Sequence, residues 1–215
     1  MKTLLLAATA ALALAAAPAA NAAIILTFGQ SGSGNTITGT NPASSSTHIA
    51  GTAVPVSITQ IDALTVTPTA AFLTLSADSV SAALGIGSFA TQDFAGSFSI
   101  TNGATNYLSG TFTDATFGSG NALTLSASNG TAGQLAHFTS NVIAPNQLGD
   151  PEGIALSFSN VTPAVGTTGN PATLAAFTAG VSGDFSASPV PEPASLALLG
   201  VGLLGLGMMV RRKRD

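Results

Sequence analysis

The sequence predicts an all-β body, a single β-sandwich or jelly-roll-like domain set between two special ends. Three observations carry that prediction. Apolar and polar residues alternate with a period of two in many short runs, the pattern of a strand with one buried face. Clusters such as "SGSGN", "TNGATN", "GSGN", "SNGTAG", "APNQLGDPEG" and "TTGNP" separate the runs, and their residues favour turns. All 11 phenylalanines lie in the middle of the chain, which therefore has material for a core. About eight to ten short strands with polar turns fit a sandwich or jelly roll.

The elements follow in chain order. Residues 1–22 read as a secretory signal peptide: Lys2 gives a positive start, Leu4 to Ala17 an apolar run, and Ala20-Asn21-Ala22 the small-x-small site of signal peptidase, with the cut after Ala22. Residues 23–189 form the β-rich body. "IILTF" (Ile24–Phe28) opens it. "VPVSI" (Val54–Ile58) contains Pro55, which places it at a sheet edge or strand start. "DALTVT" (Asp62–Thr67), "AFLTLSA" (Ala71–Ala77) and "FAGSFSI" (Phe94–Ile100) follow. "NYLSGTFTDATF" (Asn106–Phe117) is long and Thr-rich, with a bulge expected at Gly110. "ALTLSAS" (Ala122–Ser128), "QLAHFTS" (Gln134–Ser140) and "IALSFSN" (Ile154–Asn160) come next. One segment, "SADSVSAALG" (Ser76–Gly85), carries a helix signal, with Ser76 or Asp78 as the cap and Val80, Ala83 and Leu84 toward the core. The last strand is the clearest. From Phe177 the odd positions are apolar or small through Ala187, and the even ones are mostly polar through Ser188.

Residues 190–215 are different in kind. Ala194 to Val210 is apolar apart from Ser195, and as a helix would span roughly 25 Å, slightly short of an average hydrocarbon core. Arg211, Arg212, Lys213 and Arg214 follow at once, and positive residues beside a span stay on the cytoplasmic side. The signal peptide carries the body to the other side, so the two ends agree on topology.

Charge excludes several functions. Every Lys and Arg lies at the ends, whereas the body holds Asp62, Asp78, Asp93, Asp114, Asp150, Glu152 and Asp184. A phosphate backbone needs cationic partners, so no nucleic acid is expected. With 0 cysteines, disulfides, thiolate metal sites and cysteine nucleophiles are excluded. Lysine is also missing as a guard of strand edges, which raises the hypothesis that edge-to-edge association between copies is tolerated or used in a surface matrix.

Candidate chemistry is sparse. His48 reads as part of a Ser/Thr loop and His137 as part of a strand; both read as surface or lightly buried side chains. Asp150 and Glu152, in "LGDPEG", offer oxygens to a hard cation. Their spacing does not match an EF-hand, and the stretch reads as an ordinary acidic turn, so no metal or cofactor is assigned. A glycan hydrolase needs paired acids in a groove, usually with aromatic walls, but the chain has 0 Trp and 1 Tyr. No G-x-S-x-G elbow is present. The chain is therefore read as not an enzyme.

Val190-Pro191-Glu192-Pro193 abuts the apolar run, and two prolines around one acid make a stiff recognition element. The order signal peptide, polar body, V-P-E-P, apolar helix and Arg-rich end resembles the bacterial PEP-CTERM sorting architecture. The resemblance implies recognition by exosortase, a polytopic membrane enzyme, with transient inner-membrane anchoring through residues 194–210 and later loss of that segment. It also implies a Gram-negative host that makes exopolysaccharide, with the mature protein at the cell surface or in the extracellular matrix. The expected role is structural or adhesive. A polysaccharide-binding module, with or without a cation, is the alternative, and a secreted glycan hydrolase ranks third.

Overall fold

The computed structural model describes residues 22–34, 36–43, 46–62, 64–86, 89–118, 123–190 and Gly200. The body is all-β, as the alternation requires. Its strands are β1 (Ala23–Gln30), β2 (Ile37–Ala43), β3 (Ser46–Ile61), β4 (Leu64–Ser79), β5 (Leu84–Ile86), β6 (Phe89–Asn102), β7 (Thr105–Gly118), β8 (Leu123–Ser128), β9 (Leu135–Thr139), β10 (Gly149–Thr162), β11 (Thr167–Thr168), β12 (Thr173–Leu174) and β13 (Phe177–Ser188). A 3₁₀ turn, Pro145–Gln147, precedes β10.

The sandwich expectation is corrected. The sheet runs β6-β4-β3-β1-β13-β10-β8-β7, and β7 pairs back onto β6, so this 8-strand path closes into a barrel. The long strands make closure possible. β3 and β4 span 16 residues each, and β4 fuses two runs that the sequence presents as separate. Strands of that length twist and coil enough to bring the two margins together.

Two ring positions are each shared by two collinear strands. β1 and β2 both lie between β3 and β13, separated by the excursion 31–36. β8 and β9 both pair antiparallel with β7, separated by the excursion 129–134. Both excursions are Gly-rich segments of the kind read as hairpin turns from the sequence, yet here the chain leaves the barrel wall and returns to it in the same direction.

Closure also answers the question of unguarded edges. A barrel has few free edges to guard, so the absence of lysine carries no association hazard along the ring. Pro55 is not at a sheet margin, because β3 is paired on both sides. The Pro55 carbonyl accepts the Ser31 N–H at 2.9 Å. The N–H and C=O of one residue point to the same side of a strand, so the donor that proline lacks faces the point where β1 departs. The helix expected over Ser76–Gly85 is absent too. β4 keeps its alternation to Ser79, and the chain bends at Val80 and Ser81 before β5. The bulge in β7 falls at Asp114 (φ 54°), not at Gly110, which pairs regularly with Phe98.

Inward side chains fill the barrel in two aromatic groups. Phe98 stacks on Phe185 with centroids 4.5 Å apart, and Phe28 and Phe138 pack on that pair. Phe117 gathers Phe94, Phe158 and Phe177 at 5.4–5.6 Å. Such pairs stabilise by about 0.5–1.5 kcal/mol beyond area burial. Phe72 and Phe89 depart from the core expectation, being exposed on the outer surface.

The barrel has two distinct ends. At one, β11 and β12 form a lid: Leu174 is fully buried and Ala83 N–H donates to the Ala172 carbonyl at 2.8 Å. Thr47 Oγ1 accepts the Leu174 N–H and donates to Gln92 Oε1, and Gln92 Nε2 donates to the Ser81 carbonyl, so the buried Thr47 and Gln92 side chains are satisfied. At the other end both termini emerge side by side, with Ala23 opposite Ala187.

Candidate functional site: the tail root and the Glu152 seam

β13 is the strand from which the basic-tailed segment grows. The alternation from Phe177 is realised, and it lies between β1 and β10 as a full member of the ring. The chain stays fixed past its end. Val190 N–H donates to the carbonyl of Asn146, in the 3₁₀ turn, at 2.7 Å. Gly149 makes room for this, because a Cβ there would lie 2.6 Å from both the Ser188 carbonyl oxygen and the Val190 side chain. The root is therefore clamped up to the residue before Pro191. Ala22 lies exposed just ahead of β1. Ala20, Pro191, Glu192, Pro193, Arg211, Arg212, Lys213, Arg214 and residues 194–210 other than Gly200 lie outside the described residues. Among the described residues, no helix is long and apolar enough to cross a membrane.

Beside the root lies the one buried acid among the described residues. Glu152 is 2 % exposed and shares the inward row of β10 with Ile154, Leu156 and Phe158. Its Oε2 accepts the Phe138 N–H at 2.9 Å, and His137 Nδ1 lies 3.7 Å from the same oxygen. Burial pushes the Glu152 carboxyl up to about 7, against the opposing pull of the Phe138 N–H and then His137, with nearby Asp150 adding to the rise. The geometry explains its placement. β9 is laddered to β7 on one side only, and its other edge meets β10 without regular pairing. Side chains take over there. Asn129 Oδ1 accepts the Ala136 N–H, Glu152 accepts the Phe138 N–H, and Gln134 Oε1 accepts the Ser128 N–H at 3.1 Å. The first excursion is handled in the same way: Gln30 Oε1 accepts the Val181 N–H at 3.0 Å and its Nε2 donates to the Gly34 carbonyl.

Asp150 and Glu152, paired in the sequence, are separated in space. Asp150 is exposed and accepts from Asn129 Nδ2 at 2.6 Å, while Glu152 lies inside the barrel. Among the described residues no three His, Asp or Glu side chains gather into a cluster able to hold a metal ion. His48 is in β3 and not in a loop; its Nδ1 lies 2.8 Å from Asp78 Oδ1. His137 is in β9 as expected, with its side chain 80 % exposed. It borders a shallow outer groove with Ser97, Ser109, Thr111 and Thr139, whose floor is opened by Gly110. The Ser109 and Thr139 hydroxyls are hydrogen-bonded at 2.9 Å. The sequence did hold a signal for the buried acid, since Glu152 is in phase with the apolar positions of its strand.

No curated protein matches the chain, and no solved structure does. Residues 189–214 match the family model for the PEP-CTERM protein-sorting motif. That match begins directly after β13, on the clamped root, and the motif is one that directs export with exosortase processing and transient membrane anchoring. This chain is accordingly a β-barrel body that carries a PEP-CTERM protein-sorting motif at its C-terminal end.

Proposed function

We propose that the body is a non-enzymatic structural or adhesive protein of a Gram-negative cell surface or extracellular matrix. Signal peptidase removes residues 1–22, and exosortase then removes the apolar segment and basic tail. The observation that carries this reading is the junction itself. The sorting motif starts at residue 189, one residue after the last barrel strand, so label and cargo are contiguous. A cargo without cysteine from residue 23 to 189 needs no disulfide formation to fold outside the cell. The intact mass of the mature protein from its native host tests this. Loss of residues 1–22 and of the chain beyond the Pro191–Pro193 region is expected. A C-terminus at Asp215 overturns the sorting step.

A second reading, polysaccharide binding, is favoured by the hydroxyl-lined groove of Ser97, Ser109, Thr111, His137 and Thr139. Hydroxyls and one imidazole suit hydrogen bonding to a neutral glycan chain. Binding of the processed protein to the host exopolysaccharide, with and without Ca²⁺, tests it; retention that survives Ser109→Ala with Thr139→Ala rules out this groove.

A further inference from the structure

The end of the barrel from which the tail leaves has a surface of its own. Ile24, Leu64, Val142 and Val190 are 44 %, 68 %, 45 % and 47 % exposed. Strand register brings them to one end. Ile24 lies opposite Ser186 near the end of β13, and Leu64 opens β4 opposite Ile61, which itself closes β3. Val142 lies in the loop that Asn141 fastens to the start of β7 through the Asn106 carbonyl, and Val190 is the clamped root. The hairpin joining β3 and β4 projects past its neighbour on the β6 side. β4 meets β6 only from Phe72 onward, which leaves Leu64 to Ala70 beyond the β6–β7 turn.

Exposure alone does not single out this end, because Val80, Leu84 and Phe89 are also exposed toward the lid. The tail does. Only Pro191, Glu192 and Pro193 separate Val190 from the apolar run that begins at Ala194. Even fully extended, that stretch reaches at most about 14 Å. The headgroup layer accounts for about 5–8 Å on each side of the hydrocarbon. A root clamped by Asn146 and Gly149 has no further slack to give.

We propose that, before the tail is cut, the Ile24, Leu64, Val142 and Val190 rim rests on the outer-facing surface of the lipid bilayer. This rests on the reading of residues 194–210 as a membrane anchor. The contact is chiefly apolar: the body offers no lysine or arginine to lipid phosphate, and its nearest acids, Asp62 and Asp150, disfavour an anionic surface. The seat holds the Pro191–Pro193 element at a fixed height, where a membrane enzyme reads it.

The chain has 0 cysteines, which allows single labels. The chain from Ala23 to Asp215, as it stands after signal-peptide removal and before the tail is cut, is reconstituted in phosphatidylcholine vesicles as Leu64→Cys, Val142→Cys, Val80→Cys and Leu203→Cys, each carrying an environment-sensitive fluorophore. A quencher is placed at the lipid headgroup or along the acyl chain. Loss of fluorescence to the headgroup quencher at positions 64 and 142, none at 80, and persistence in 1 M salt is the expected result. Quenching at 203 by the acyl-chain quencher without quenching at 64 and 142 overturns the seat and leaves the anchor standing. No quenching at 203 removes the anchor and the seat together. Equal quenching at 64 and 80 also overturns the seat, because the body then lies on the bilayer without orientation.

Discussion

Replacing Glu152 by glutamine is expected to stabilise the barrel at alkaline pH and leave it nearly unchanged in acid. The carboxyl is 2 % exposed with no lysine or arginine in the body to neutralise it. Its folded value of about 7 stands above the ordinary 4.5. Below pH 4.5 both folded and unfolded chains hold the proton, and the group makes no difference to stability. Between 4.5 and about 7 only the folded chain holds it, so stability falls as pH rises. Above about 7 the gap is complete and amounts to about 3 kcal/mol. Glutamine keeps an oxygen for the Phe138 N–H and carries no charge. It is expected to gain about 1–3 kcal/mol at pH 8, the upper end being the full gap and the lower end allowing for a poorly placed amide donor. With a urea slope of about 2 kcal/mol/M, a gain of 2 kcal/mol moves the midpoint by about 1 M. The assay is urea unfolding of wild type and Glu152→Gln across pH 5 to 8. Glu152→Ala separates charge from latch. It orphans the Phe138 N–H and is expected to lose about 1–3 kcal/mol at pH 5, where the charge is absent. Parallel pH profiles for wild type and Glu152→Gln would refute the reasoning.

Two further outcomes follow from the same ladder breaks and close packing. Gln30→Ala leaves the Val181 N–H without its acceptor beside the first excursion; a loss of about 1–3 kcal/mol in urea unfolding is expected, with faster hydrogen exchange at Val181 than at the laddered amides of β13. Gly110→Ala forces a methyl against the His137 carbonyl and to 2.8 Å and 3.0 Å from Phe138 and Phe98, and a fall in stability of about 1–3 kcal/mol is expected, read as a lower melting temperature.

Much of the fold was legible because alternation is local. The strand from Phe177 to Ser188 has the predicted alternation over most of its length, and the all-β class follows from runs of the same kind. Closure was not legible, since a strand with one buried face looks the same in a sandwich and in a barrel. What decides is whether β13 pairs with β1 as well as with β10, and a pairing between the two ends of the body leaves no period in the sequence. The excursions 31–36 and 129–134 have turn composition, but composition does not tell a reversal from a detour. Gly110 reads as a bulge by rule, while its cause is the crowd of Phe98, Phe138 and His137 around it. Asp150 and Glu152 read as a pair because they are near in sequence; a period of two gives them the same face, and the irregular start of β10, where the register with β13 shifts between Gly149 and Gly153, sets them apart.

The neighbours of the last strand have a consequence for timing. β1 must find β13 across 157 residues, as the Thr27–Asp184 hydrogen bond spans, and β10 needs β13 as well. On the proposed export led by the N-terminus, the chain cannot complete the ring until the residues next to the sorting motif have themselves crossed. Contacts this distant in sequence form slowly. The wall stays unfinished while the chain is still threadable, and the stave that completes it arrives together with the sorting motif.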